Sequence, residues 1–298
     1  MIVLERFEQL KTEILGPDLI VNSLEDVDEL HDKFIKLRSA LILNGIMDFM
    51  PHYRGEQFFG WDINSGIFRS PLEFQDPLTA KQLEKVACQE FEKNVITDGK
   101  YLLRNVFYYE EYGKEWDLLF QGQHGGVKTT ITDWTAIIQS AAYFAVELSK
   151  DPKIEKADGQ LWCMLTPLDF ILSHTDDNHL KNFYNQNPVS IDQYYIINPS
   201  TYLDDMDKRI YEQRMHRQRG RFFISPANVC HMPINKEATL RKYLIRVRIP
   251  HDKKKVIREA LAKRGMTREY LYVQENEEMK DLAFKVNVNV YKDFNVRN

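Results

Sequence analysis

The segment QGQHGGVKTTITDWTAIIQSAAYFAVE, residues 121–147, combines a glycine-rich turn, a β-branched run and an apolar helix pattern. The glycine pair after His124 favours a sharp turn, because glycine tolerates positive φ. The Thr-Thr-Ile-Thr run favours a strand. Apolar residues recur at helical spacing through 137–145, and either Asp133 or Thr135 can cap that helix. The segment therefore predicts a short strand and a helix that meet at a polar junction.

Length and composition indicate a folded protein. The chain has 298 residues, of which 43% are hydrophobic, 12% aromatic and 28% charged. A disordered chain would hold fewer aromatic and aliphatic residues. The formal net charge of −4 provides no general attraction to nucleic acid, so such a role would need a local basic patch.

The cysteines and the N-terminal segment indicate a reducing compartment. Cys88, Cys163 and Cys230 lie far apart in the sequence, which predicts reduced thiols rather than disulfides. The first residues include acidic side chains where a signal peptide carries positive charge, and no long uninterrupted apolar run is present. We therefore expect a cytoplasmic protein with no membrane partner.

Hydrophobic periodicity predicts the fold class. Helices are expected to begin after or near four polar residues: Ser23, Thr79, Asp133 and Asp252. Strand patterns occur at 161–165, 194–197, 221–224, 243–249, 270–273 and 286–290. Helices predominate early and strands late, without regular alternation. We therefore predict an α+β fold with a mainly antiparallel sheet.

The tripeptide Tyr53-Arg54-Gly55 is a candidate anion site. A guanidinium group can hold two phosphate oxygens at once, and a glycine lets a ligand approach the backbone closely. A surface ion pair is the alternative role for such an arginine.

His124 and Asp133 also have two interpretations each. Beside two glycines, the His124 imidazole can serve as an acid, a base or a hydrogen-bond donor near a ligand. Alternatively, it is a structural histidine that bonds a loop carbonyl. Asp133 is most simply a helix cap, since a catalytic role would need a raised pKa.

Two further polar clusters occur in the sequence. Residues 173–193 form a polar connection in which His174 and His179 lack a structural zinc spacing, so no metal site is predicted. A basic cluster, interleaved with aromatic residues, contains Arg214, Arg217, Arg219 and Arg221. Such interleaving is typical of many nucleic-acid-binding surfaces, although a solvated charged face is the alternative.

Taken in order, several segments resemble the FRG family, which is named for a Phe-Arg-Gly tripeptide. The resembling residues are Tyr53-Arg54-Gly55, Trp61, Phe68-Arg69, Glu90-Phe91, Gln123 to Gly126, Thr129, Asp133 to Thr135 and Ala141 to Ala145. The resemblance predicts a helical extension over 1–45 and an FRG-like domain over 46–298. The chain departs from the family pattern at Lys128, Thr130 and Ile137-Ile138, where the family has Pro, Arg and Asn-Pro.

This resemblance implies an activity. The family is often bacterial, in toxin or phage-defence settings, and its Arg-Gly strand is similar to the first motif of ADP-ribosyltransferases. The similarity implies an ADP-ribosyltransferase-like fold, NAD as a substrate, an RNA, DNA or protein acceptor, and an antitoxin as a partner. The implied NAD contacts are Arg54, Gly55, Thr129 and Tyr143. The implied catalytic residues are His124, Glu275 and Glu277.

Two other functions fit the same residues. The basic cluster is compatible with a nucleic-acid-binding or nucleolytic module. A non-enzymatic regulatory domain that binds protein would use Arg54 and His124 only to hold a loop in shape. Convergence of Arg54, His124 and a late carboxylate on one cleft large enough for a dinucleotide would favour the enzyme.

Overall fold

A computed structural model describes residues 2–69, 76–97, 113–172, 177–197, 210–272 and 277–292. Its helices are α1 (Ile2–Leu15), α2 (Leu24–Leu43), α3 (Pro77–Thr97), α4 (Lys114–Gly125), α5 (Ile138–Val146), α6 (Pro152–Glu155), α7 (Asp177–Tyr184), α8 (Ile210–Gln218), α9 (His251–Lys263), α10 (Arg268–Leu271) and α11 (Glu277–Tyr291). Its strands are β1 (Phe49–Glu56), β2 (Thr132–Thr135), β3 (Gly159–Pro167), β4 (Ile171–Leu172), β5 (Tyr195–Ile197), β6 (Gly220–Ile224) and β7 (Leu244–Ile249).

The strands form one sheet in the order β4-β5-β6-β2-β1-β3-β7. Each neighbouring pair is antiparallel except β4 and β5, which are parallel. The predicted α+β class with a mainly antiparallel sheet is confirmed. Four of the predicted strands correspond to β3, β5, β6 and β7. The three cysteines are buried free thiols, as expected.

β1 lies near the centre of the sheet and has two different faces. Phe49 and Tyr53 are buried in a hydrophobic core that includes residues of α1, α2, α5 and α9. Because side chains alternate along a strand, His52, Arg54 and Glu56 lie on the opposite face. β1 therefore binds a helical layer on one face and carries polar side chains on the other.

The helix that is expected to begin after Ser23 is α2, and a capping box stabilises its first turn. Ser23 Oγ accepts a hydrogen bond from Asp26 N at 3.1 Å, and Asp26 Oδ2 accepts one from Ser23 N at 3.2 Å. Phe34 and Leu37 on this helix are buried in the same core as Tyr53. The N-terminal helices thus contribute to the core of the sheet, and the domain boundary after residue 45 stays a prediction.

Gly55 permits an unusually close contact between β1 and α5. A Cβ atom built at Gly55 would lie 1.7 Å from the carbonyl oxygen of Ala141 and 2.7 Å from Ala145 N. A side chain therefore cannot fit between the strand and the helix. Backbone packing therefore accounts for a glycine at this position, while the predicted contact of Gly55 with a ligand stays a prediction.

The turn after His124 forms later in the chain than its glycine pattern suggests. α4 continues through Gly125, and Gly126 ends the helix with a φ of 102°. His124 therefore lies in the last turn of a helix rather than in a loop.

The expected cap of α5 by Asp133 is wrong. Asp133 lies inside β2, which begins at Thr132, and α5 begins only at Ile138. Thr135 Oγ1 accepts a hydrogen bond from Ile137 N at 3.0 Å, just before the helix. Asp133 and Thr135 thus both belong to a strand rather than to the start of the helix. The Asp133 carboxylate is therefore available for other contacts.

Two strand predictions near the C-terminal end are also wrong. Residues 268–271 form α10, and the alternating valines of 286–290 lie in α11. Ala283 and Val286 of α11 are buried, whereas Val288 is exposed, which is a helical burial pattern. An alternation over five residues is too short to distinguish the two-residue period of a strand from the 3.6-residue period of a helix.

The polar connection 173–193 contains a helix, α7, whose Phe183 and Tyr184 are buried. Residues 173–176, with the predicted solvated His174, lie outside the described ranges. None of the helices in those ranges has the length and apolar character needed to cross a membrane.

Gly55→Ala is expected to lower the free energy of unfolding by about 3 kcal/mol or more, because the added methyl group overlaps the α5 backbone. Urea denaturation would measure the change. Gly66→Ala is the matched control, since a Cβ there meets no atom closer than 3.5 Å. Equal losses in the two variants would contradict this account of Gly55.

Candidate active site

A cleft of about 660 Å³ opens between the central strands of the sheet. β1 and β2 pair in register only at Tyr53 and Thr135, whereas β1 and β3 pair along eight residues. The cleft lies on both strands next to that single pairing point. Its charged lining residues are Arg54, Arg69, Arg214, Glu56, Asp62, Asp133 and Glu147.

Arg54 is held at this cleft by two hydrogen bonds. Its Nε donates to Glu56 Oε1 at 3.0 Å, and its Nη1 donates to the carbonyl oxygen of Asp133 at 2.6 Å. The Arg54 side chain is only 10% exposed and that of Glu56 only 7%. Arg54 is therefore not an exposed surface ion pair. It links β1 to β2 across the opening.

Glu56 belongs to a wider hydrogen-bond network. Gln160 Nε2 donates to Glu56 Oε2 at 2.6 Å, and Gln160 Oε1 accepts from Arg246 Nε at 2.9 Å. The Arg246 guanidinium stacks 3.6 Å from the ring centre of Phe59. The network fixes both oxygens of Glu56 and thereby the orientation of Arg54.

Arg69 provides a second guanidinium of the cleft, although the sequence pattern indicates no role for it beyond the Phe68-Arg69 pair of the resemblance. Its Nε donates to Asn64 O at 3.1 Å. Burial and, secondly, the nearby charge of Arg54 lower its pKa to about 10, while Glu56 and Asp133 act in the opposite direction. Arg69 remains a cation at neutral pH.

Arg214 reaches the cleft from α8. Its guanidinium lies 4.8 Å from the ring centre of Tyr272, and its Nη1 is 3.4 Å from the carbonyl oxygen of His124. Its Nε is buried and has no hydrogen-bond partner in the part of the chain that the structure describes. A third positive charge with an unused donor thus lines the same cavity.

His124 lines the cleft from the end of α4, with its ring edge against Phe222 at 5.1 Å between ring centres. Burial, and secondly the charge of Arg214, lowers the pKa of His124 to about 3. The imidazole is therefore neutral at physiological pH. It can donate or accept a hydrogen bond there, but it does not supply a positive charge.

Asp133 is oriented by a chain of two hydrogen bonds. Gln123 Nε2 donates to Asp133 Oδ2 at 2.7 Å, and Thr129 Oγ1 donates to Gln123 Oε1. Thr129 is fully buried, so it lies behind the cleft wall. The structure thus connects Thr129 to the cleft through Gln123.

The other predicted site residues occupy different places. Tyr143 is buried in the core of the sheet, and its neighbour Phe144 lines the cleft instead. Burial raises the pKa of Tyr143 to about 12. Glu275 lies outside the described residues, and Glu277 is the first residue of α11. The roles of Glu275 and Glu277 stay predictions.

The four arginines of the basic cluster have different surroundings. Arg214 lines the cleft, whereas Arg217 lies 5.2 Å from the ring centre of Tyr270. Arg219 is exposed and has a φ of 47°. Arg221 donates from Nη1 to Gly220 O at 2.9 Å, and burial lowers its pKa to about 10. Their predicted binding of nucleic acid stays a prediction.

Residues 51–154 match the family model of the FRG domain. The chain therefore contains an FRG domain. Comparisons with curated proteins and with solved structures found no match. The matched residues include Arg54, His124 and Asp133, whereas Arg214 and Tyr272 complete the cleft from segments beyond residue 154.

This lining combines three arginines with four carboxylates, so it offers partners both to an anionic group and to a positively charged one. Three arginines supply positive charge, and neutral His124 together with Gln123 supplies hydrogen bonds. In the described ranges, no group of three or more His, Cys, Asp or Glu side chains is placed to hold a metal ion.

We expect His124 to contribute a pH dependence to stability. Between its ordinary pKa of 6.5 and about 3, the unfolded imidazole binds a proton that the folded one does not. The unfolding free energy should therefore fall as pH is lowered through that window, and less so in His124→Gln. Urea titrations at pH 7 and pH 4 would measure this difference.

The exposed His231 provides the control for that experiment. His231→Gln should keep the pH dependence of the unmodified protein. Indistinguishable pH dependence in all three proteins, or an NMR titration of His124 near pH 6.5, would refute the neutral imidazole.

Proposed function

We propose that the cleft of this FRG domain binds NAD and that the protein transfers the ADP-ribose group of NAD to an acceptor. The observation that carries the proposal is the placement of Arg54 at the separation of β1 and β2, with Arg69 and Arg214 lining the same cavity. A dinucleotide with two phosphates is a ligand that such a set of charges would recognise.

The bonding of Arg54 supports a phosphate contact. Its Nε and Nη1 are engaged by Glu56 and by the Asp133 carbonyl, which holds the guanidinium plane in place. Its Nη2 has no hydrogen-bond partner within the described residues. A prearranged donor costs less conformational entropy on binding than a mobile side chain. The cavity volume of about 660 Å³ also suits a ligand larger than a single sugar.

The transfer reaction requires stabilisation of a positively charged ribose. The bond between ribose C1′ and the nicotinamide nitrogen breaks, and both bonding electrons leave with nicotinamide. Negative groups near C1′ stabilise the charge that develops in the transition state. The described carboxylates at the cleft are Glu56, Asp62, Asp133 and Glu147. By resemblance, Glu275 and Glu277 are further candidates for this role.

Neutral His124 fits a hydrogen-bonding role in this reaction. A protonated imidazole near C1′ would oppose the developing positive charge, whereas a neutral ring does not. The low pKa of His124, which results mainly from burial, keeps it neutral at the pH at which the reaction would run. We propose that His124 bonds the ribose or the nicotinamide amide.

The proposed setting is the one that the family resemblance implies. The protein would act in the bacterial cytoplasm as a toxin in phage defence, with an antitoxin as its inhibitory partner. The acceptor of ADP-ribose would be RNA, DNA or protein.

Arg54→Lys tests the function while it keeps a positive charge beside Glu56. We expect the dissociation constant for NAD, measured by calorimetry, to rise by at least about tenfold, because lysine cannot reproduce the planar pair of donors. Release of nicotinamide from NAD should be measured in the same preparations.

Arg38→Lys is the matched control. Away from the cleft, Arg38 forms a bidentate ion pair with Asp48. Its Nε donates to Oδ1 at 2.8 Å and its Nη2 donates to Oδ2 at 3.0 Å. Its substitution should leave NAD binding unchanged. Absence of NAD binding by the unmodified folded protein would refute the proposed function. Equal affinities of the Arg54→Lys variant and the unmodified protein would refute the role of Arg54.

A further inference from the structure

The four described carboxylates of the cleft differ in how many of their oxygens are already bonded. Both oxygens of Glu56 accept hydrogen bonds, from Arg54 and Gln160. Both oxygens of Asp62 are also engaged, by Asn235 at 2.9 Å and by Lys236 at 2.5 Å. Each of these four oxygens thus already accepts a hydrogen bond from a protein group.

Glu147 is engaged in the same way. Its Oε1 accepts from Arg268 Nη1 at 2.7 Å, and its Oε2 accepts from Tyr272 Oη at 2.9 Å. The Glu147 side chain is 15% exposed. Its charge is partly neutralised by Arg268, which weakens its effect on a nearby cation.

Asp133 differs from these three. Its Oδ2 accepts one hydrogen bond, from the neutral side chain of Gln123 at 2.7 Å. Its Oδ1 has no hydrogen-bond partner among the described residues, and the side chain is exposed to the cleft. No cation of the described chain forms an ion pair with it. Asp133 is thus fixed in direction by Gln123 and has one oxygen without a hydrogen-bond partner among the described residues.

The position of Asp133 places this carboxylate next to the arginine that would hold the phosphates. Arg54 Nη1 bonds the main-chain oxygen of Asp133, and the Asp133 charge acts on Arg69. In a dinucleotide, the ribose is covalently attached to the diphosphate. A ligand whose phosphates contact Arg54 therefore has a ribose within reach of the same residue of β2.

We propose that Asp133 is the catalytic carboxylate that acts at ribose C1′, an inference that rests on the proposed transfer of ADP-ribose. Asp133 stabilises the positive charge on the ribose as nicotinamide leaves with both electrons of the broken bond. The acceptor oxygen then forms the new bond to C1′, and its proton passes to the open Oδ1 of Asp133. Gln123 and, behind it, Thr129 are positioning residues for this carboxylate.

Asp133→Asn tests the inference with nearly unchanged shape, since the amide oxygen can still accept the bond from Gln123. We expect nicotinamide release to fall by at least about 100-fold, while the dissociation constant for NAD stays within about threefold. Asp169→Asn, at an exposed aspartate outside the cleft, is the matched control and should retain full activity. Melting temperatures of all variants would verify folding.

Asp133→Ala provides a second measurement. Formate can enter the space left by the missing carboxylate, so we expect added formate to restore part of the nicotinamide release. A purely structural role of Asp133 predicts no such recovery. Recovery in this variant, with none in Asp169→Ala, would support a carboxylate that acts directly on the substrate.

The outcomes separate this inference from the function on which it rests. If the unmodified protein releases nicotinamide and Asp133→Asn does so at a similar rate, the role of Asp133 is refuted and the function stands. The same conclusion follows if only Glu275→Gln or Glu277→Gln abolishes release. If the unmodified protein neither binds nor cleaves NAD, both proposals fail.

Discussion

The close contact of β1 with α5 at Gly55 is the constraint on which the rest of the structure depends. Ala141 and Ala145 of α5 approach the strand so closely that no Cβ fits between the two backbones. Gly159 of β3 makes a second close approach to α5, since a Cβ atom built there would lie 2.6 Å from the carbonyl oxygen of Ala145. Small residues on both sides thus let the α5 backbone pack directly against the sheet, and this contact fixes the position of β1 relative to α5.

This packing determines where the charged side chains lie. Because Gly55 faces α5, Arg54 and Glu56 face away from that helix. Their mutual bond and the bond from Arg54 to the Asp133 carbonyl then set the distance between β1 and β2 at the opening. Apolar packing on one face of the sheet therefore positions the ionic groups on the other.

The cleft holds charges of both signs close together. Three arginines and four carboxylates line it. Burial and, secondly, the charge of Arg54 lower the pKa of Arg69, while Glu56 and Asp133 act in the opposite direction. The carboxylates therefore offset part of the repulsion between the arginines in the free protein.

Much of this architecture follows from local sequence patterns, whereas the composition of the cleft does not. The capping box at Ser23 and the long apolar strand at 161–165 have clear local signals, and both are present. The short alternation at 286–290 was misleading, because residues three and four apart in it also fit a helix face. Asp133 was misread because a strand end and a helix cap use the same residue types.

Convergence of distant residues has no local signal at all. Arg69 and Arg214 lie near Arg54 only because of the tertiary fold. Gln123, which donates a hydrogen bond to Asp133, belongs to α4 because that helix extends through Gly125. The family pattern placed Arg54 and His124 in one domain, and the structure places both at one cavity.

The cleft is formed by two parts of the chain, the family-matched residues 51–154 and segments that follow them. Thr135 Oγ1 donates to Gln218 O at 2.6 Å, and Gln218 Nε2 donates to Leu271 O at 3.0 Å. The cleft wall that comes from residues after 154 is therefore hydrogen-bonded to β2. Residues 51–154 alone would expose one side of the cavity to water. The family-matched stretch therefore supplies Arg54, His124 and Asp133 of the cleft, while the later stretch supplies its opposite wall. Substitutions in that wall can change the shape of the cavity without changing these three residues.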